Sequence, residues 1–131
     1  MNEDQPTAET HIAKLFANAP ACSVLFHTLH RYILDTYPDA SYKTGRTQVS
    51  YYNKHGFAYL WPPLRKIKGR PDVYIVLSFG LDRKIEDSRI TEVVEPYPER
   101  WTHHVLISRL EDFDSTVKDW LGEAYRFAQN K

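Results

Sequence analysis

Apolar positions recur at helical spacing near both ends of the chain and at alternating spacing through its middle. Cys22, Leu25, Phe26, Leu29, Ile33 and Thr36 follow the i, i+3, i+4, i+7 pattern of one buried helix face. His27, His30, Arg31 and Asp35 fall on the opposite side, where the two histidines read as a solvent-facing pair. A shorter helix precedes this one. It opens at Pro6 and Thr7, with Thr7 as N-cap, and carries Ile12, Leu15 and Phe16 on its apolar side. Asn18-Ala19-Pro20 separates the two, and Pro20 suits the first turn of the second. The first six residues are expected to fray. Near the other end, Phe113, Val117, Trp120, Leu121, Ala124 and Ala128 define a strongly amphipathic helix, capped by Asp112 or Asp114.

Between Ser41 and Ser108 the period falls to two, that of strands. Tyr42–Lys43 reads as a short strand. Gln48–Tyr52 and Phe57–Trp61 read as a hairpin joined by the four residues Asn53-Lys54-His55-Gly56. After the loop "PPLRKIKGRP" comes the clearest strand, Val73–Phe79, which Gly80 is expected to end. A charged loop, "DRKIEDSR", leads to a strand over Ile90–Glu95, the turn "PYPE", and a last strand over Trp101–Ser108. The order predicts a single α+β domain over residues 1–131. Its antiparallel sheet of about five strands carries two N-terminal helices and one C-terminal helix, packed mainly on one face.

Alternation divides each strand into two sets. Val73, Ile75, Leu77 and Phe79 are wholly apolar, and Trp101, His103, Val105 and Ile107 follow suit. The opposite sets place Gln48, Ser50, Tyr52, Tyr74, Ser78, Thr102 and His104 on one surface, with Tyr59 and Trp61 as further members. A plain solvated face carries more Lys, Glu and Thr. Hydroxyls, an amide, an imidazole and aromatic rings suit a cleft or interface lining.

Composition narrows the function classes. The 131 residues are 42% hydrophobic, 26% charged and 14% aromatic, ordinary for a soluble domain except in the aromatic share. Seventeen basic residues balance seventeen acidic ones, which disfavours general nucleic-acid binding. No export signal or membrane-length apolar run is visible, so a cytoplasmic location without membrane attachment is expected. The single Cys22 reads as a small buried hydrophobe.

Candidate chemistry is sparse. In a strand, adjacent residues point to opposite faces, so His103 and His104 cannot share one metal ion. His103 is expected to pack in the core with its ring hydrogen-bonded, and His104 to face a ligand. His27 and His30 lie three apart on a helix, but no carboxylate completes a metal set. Arg65, Lys66, Lys68 and Arg70 form a basic loop whose simplest reading is a solvated one. Nothing resembles a nucleophile elbow, a P-loop or a dinucleotide fingerprint. No catalytic residue, metal or cofactor is therefore assigned.

The stretch "VLSFGLDRKIEDSRITEVVEPYPERWTHHVLI" resembles the signature block of the bacterial domain-of-unknown-function family 5655. "KTGRTQVSYYNKHGFAYLWPP" and "DWLGEAY" are similar to that family's other segments. The resemblance runs from about Ile12 onward and implies a small α+β domain of the YdhG-like kind, with helices on one side of an antiparallel sheet. It carries no activity, cofactor or catalytic residues. Its members occur alone or as modules, which suits a binding or accessory role. The pattern falls on Lys43, Gln48, Ser50, Ser78, Arg83, Arg89, Glu92, Glu95, Trp101, His103 and His104, while Thr91 stands where the family usually has Lys.

These readings converge on a binding module for a small anionic molecule or a protein. Tyr52, Tyr74 and Trp61 would give contact area. Gln48, Ser50, Ser78 and His104 would give hydrogen bonds, and Lys43, Arg83 and Arg89 would form a basic rim. Two alternatives use the same face: an enzyme on a phosphorylated or nucleotide-like substrate with His104 as base, and homodimerisation.

Overall fold

The computed structural model describes residues 8–63 and 67–130. The expected fraying of residues 1–6, the Thr7 cap, Arg65 and Lys66 lie outside them. Helices α1 (Ala8–Leu15) and α2 (Pro20–Thr36) are followed by six strands: β1 (Ser41–Thr44), β2 (Val49–Asn53), β3 (His55–Trp61), β4 (Ile75–Leu81), β5 (Ile90–Tyr97) and β6 (Arg100–Ile107). A 3-10 turn, Leu110–Asp112, leads into α3 (Ser115–Gln129). The strands form one antiparallel sheet in the order β1-β2-β3-β4-β6-β5. The α+β reading holds, with six strands rather than about five. Between β4 and β6 the chain makes an excursion through residues 82–89 to the edge strand β5, and β6 then returns beside β4.

The apolar sets found by alternation meet the helices. Val49, Tyr51, Leu60, Leu77, Phe79, Val105 and Ile107 are buried in one cluster with Phe26, Leu29 and Ile33 of α2 and Val117, Leu121 and Ala124 of α3. Ile12 of α1 belongs to it too, so all three helices lie on this face. Leu77 has no exposed surface. Truncation to Ala at such a site costs about 2–5 kcal/mol, because the neighbours close the void only partly. Asp114 caps α3, its carboxylate accepting from the Val117 N–H at 3.0 Å.

Three local readings need correction. The β2–β3 connection is tighter than four residues: Asn53 pairs directly with His55, and Lys54 takes the turn in the left-handed region at φ 67°. Lysine seldom adopts that conformation, so the sequence points to Gly56 instead. Gly80 does not end β4 but pairs with Thr102 inside it. β5 runs on through Pro96 to Tyr97, which an edge strand tolerates because a proline's missing N–H costs no ladder bond there. The pairing also shifts between Tyr51 and Tyr52. That irregularity lets the neighbours Phe57 and Ala58 both point into the core.

Candidate functional site

The sheet face turned away from the helices carries an unbroken row of polar side chains across all six strands. Lys43 pairs with Ser50, Ser50 with Tyr59, Tyr59 with Ser78, Ser78 with His104, and His104 with Glu92. Cross-strand partners share a face, so register alone aligns these six. Trp61, Val76 and Leu106 form the next row on one side. Gly56, Gly80 and Thr102 lie on the other.

The small residues of the row lie beneath the large ones. Ser78 is 1% exposed and Ser50 is buried, whereas Tyr59, Trp61 and His104 are half-buried. Ser78 Oγ and His104 Nδ1 are hydrogen-bonded at 2.6 Å. The Gln48 amide donates to Ser50 Oγ at 3.1 Å. The Trp61 and His104 rings stand 5.5 Å apart, and the Lys43 ammonium lies 5.3 Å from the centroid of Tyr52. Burial lowers the pKa of His104, and the charge of Arg70 works in the same direction while Glu92 opposes both. The ring is therefore neutral at pH 7, with one nitrogen engaged by Ser78.

One end of the face deepens into a cleft of about 260 Å³ whose lining includes Gly56, Tyr59, Gly80, Thr102, Tyr97 and Arg100. The two glycines leave room in its floor. A Cβ on Gly56 would collide with Tyr59 Oη, so glycine is what lets that ring lie flat over the strand. At the other end Arg70 Nη1 donates to Tyr74 Oη at 3.4 Å, with the guanidinium 5.8 Å from the ring centroid. Tyr74 is almost fully buried, so its ring cannot offer the open contact area expected of it.

Lys43, Gln48, Ser50, Tyr52, Ser78 and His104 thus share the face, with Tyr74 at its margin. Arg83 and Arg89 do not join them. Arg83 grips Glu123 of α3 through two bonds of 2.8 and 2.7 Å. Arg89 binds Asp87 and, at 2.6 Å, Asp114, and its guanidinium lies 5.2 Å from the Trp120 ring centroid. Both tie the 82–89 loop to the helix side. The expected basic rim is here a clamp, because α3 presents carboxylates to the loop and strand alternation says nothing about where loops turn. Lys68 is exposed, and of the two described members of the basic loop Arg70 is the one that reaches the face.

The histidines separate as alternation requires. His103 has no exposed surface, accepts the Ile85 N–H on Nε2 at 3.0 Å, and stacks on Phe79 at 5.1 Å, 9° from parallel. Burial lowers its pKa. The backbone of Phe79 and of Trp101 pulls the other way, although Nδ1 itself has no hydrogen-bond partner among the described residues. His30 departs from its solvent-facing reading: it is half-buried, stacks on Phe26 and bonds the buried Tyr51 hydroxyl at 2.7 Å. Tyr51 explains this, since a buried phenol needs a partner. Cys22 is buried, its thiol bonding the Tyr74 carbonyl at 3.3 Å.

Tyr59 lies on the face where alternation adds it as a further member, whereas periodicity does not point to Arg70 and Arg100 as site residues. The two arginines sit outside regular alternation or at a strand end. No helix among the described residues is long and apolar enough to cross a membrane. Residues 12–128 match the family described as Domain of unknown function (DUF5655). No curated protein and no solved structure matches the chain.

Proposed function

This chain belongs to the DUF5655 family of domains of unknown function, and we propose that it is a binding module whose helix-free sheet face receives a small anionic molecule. The observation that carries the reading is the row from Lys43 to Glu92, in which hydroxyls and an imidazole lie among aromatic rings instead of a carpet of solvated charges. Such a surface offers fixed hydrogen-bond partners and flat apolar area together, the mixture that orients a ligand. Lys43 and Arg100, with Arg70 nearby, supply positive charge against the single carboxylate of the row. A protein partner or a second copy of the chain is the competing occupant. The test is affinity for a panel of sugar phosphates, mononucleotides and dicarboxylates, compared between the wild type and His104→Ala/Tyr59→Ala. The reading requires that any ligand found lose at least about tenfold in affinity, the loss of roughly one good contact. Unchanged affinity would remove the site.

A second reading, acid–base chemistry at His104, is favoured by one arrangement: Ser78, His104 and Glu92 stand in line on adjacent strands. In it His104 is the base, since a neutral imidazole accepts a proton readily. Ser78 is too deeply buried to attack a substrate, so its role is to orient the ring. Turnover of any bound phosphate ester, abolished by His104→Gln, would favour this reading over simple binding.

A further inference from the structure

We propose that the cavity between α1 and the β1–β2 turn is a separate site for a small phosphorylated or similarly doubly charged anion. The cavity measures about 390 Å³, within the range of small-molecule sites, and is lined by His11, Lys14, Leu15, Thr44, Gly45 and Arg46. Every titratable group in this lining is basic. That is unusual for a chain whose seventeen basic and seventeen acidic residues balance. Several cations elsewhere are ion-paired: Arg31 with Asp35, Arg83 with Glu123, Lys84 with Glu86, Arg89 with Asp87 and Asp114. Lys43, Arg70, Arg100 and Lys118 lie over aromatic rings. Among the described residues Lys14, Arg46, Lys54, Lys68, Arg109 and Arg126 have neither an ion pair nor a ring, and of these Lys14 and Arg46 line the cavity together.

The fold gathers these groups by simple means. His11, Lys14 and Leu15 recur at i, i+3, i+4, which places them on one side of α1. Thr44 pairs with Val49 and so shares the inner face of the sheet, from which its hydroxyl meets His11 Nδ1 at 2.8 Å. The Gly45 N–H closes the turn onto the Gln48 carbonyl at 2.8 Å, and Arg46 follows at its tip. In the tautomer in which Thr44 Oγ1 donates to Nδ1, His11 carries its proton on Nε2 and is a donor there. A phosphate in the cavity would then meet an imidazole N–H, an ammonium and a guanidinium, and charge-assisted bonds to oxyanions are the strong kind. It would also offset the mutual repulsion of Lys14 and Arg46. None of these residues belongs to the polar row, so this site stands or falls independently of the sheet-face reading.

The experiment is a ¹⁵N-HSQC titration of the full chain with inorganic phosphate and with pyrophosphate, against sodium chloride of equal ionic strength. Saturable shifts at His11, Lys14, Gly45 and Arg46 are expected, larger for pyrophosphate. Lys14→Ala/Arg46→Ala should weaken the affinity by at least about tenfold. Arg31→Ala, which removes one exposed cation elsewhere, should not. Both substituted side chains of the double variant are exposed, so its spectrum should otherwise match the wild type. Three results would overturn the site: no saturation with pyrophosphate up to on the order of 10 mM, a very weak limit by affinity arithmetic; equal affinity in the double variant; or shifts confined to the polar row around Ser78 and His104.

Discussion

Ser78 and His104 face one another across β4 and β6, with hydroxyl oxygen and Nδ1 2.6 Å apart at the centre of the open sheet face. Ser78 is buried beneath its neighbours, so this bond both satisfies a hidden hydroxyl and fixes a half-buried imidazole. Ser78→Ala should cost about 1 kcal/mol of stability, the usual net value of one such bond. It should also weaken ligand binding, because the ring at the face's centre loses its anchor. Urea denaturation and a binding isotherm on the same variant measure both.

Acid should destabilise the protein earlier than its carboxylates alone require. Burial holds His30, His103 and His104 below the ordinary value of 6.5. The unfolded chain takes up protons near that pH and the folded chain does not. The stability these rings contribute is therefore complete above about pH 6.5 and is lost as the pH falls from there towards the folded-state values. The denaturation midpoint should be lower at about pH 5.5 than at about pH 7.5, a window set by the reference histidine value. In His103→Gln the difference should shrink, since that side chain can still accept from Ile85 N–H but does not titrate. A midpoint that holds or rises in acid would contradict the buried-histidine account.

Arg83 should matter little to either stability or ligand. Its side chain is 53% exposed, and its partner Glu123 is 33% exposed. Solvent-screened pairs of this kind are worth about 0–1 kcal/mol even with two bonds. Arg83→Ala should lower stability by no more than about that amount, with the effect fading in high salt. Affinity at the sheet face should stay as it was. A large loss of binding in this variant would bring the arginine back into the site.

Gly56→Ala should separate binding from folding. The new methyl would meet Tyr59 Oη, the far end of a side chain that can swing aside. Stability should change by about 1 kcal/mol or less, the scale of a glycine–alanine exchange. The cleft floor, however, would fill and the Tyr59 ring would leave its place. Reduced ligand affinity with a near-normal denaturation midpoint is the expected pair of results.

Much of this architecture is legible in the chain. The period-3.6 stripe from Cys22 to Ile33 and that from Phe113 to Ala128 mark the helices that cover the sheet, because only one side of each can be buried. Strict alternation separates His103 from His104 and predicts their different fates. What escapes is whatever depends on departures from the period. The shifted pairing near Tyr51 turns Phe57 away from Tyr59 and Trp61 and into the core, the left-handed Lys54 shortens a turn that glycine seemed to own, and Gly80 reads as a terminator although the cleft floor needs it inside the strand. Loop side chains are illegible for another reason: Arg83 and Arg89 find carboxylates on a helix some twenty-five to forty positions further along the chain, a meeting that no local pattern encodes.

The most direct test of the sheet face is a ¹⁵N-HSQC map of whichever small anion from the ligand panel binds most tightly. The account predicts its largest shifts at the amides of Ser50, Tyr59, Ser78, Thr102 and His104, and their disappearance in His104→Ala/Tyr59→Ala at the same ligand concentration. Shifts centred on the helices instead, or a map that the double substitution leaves intact, would contradict it.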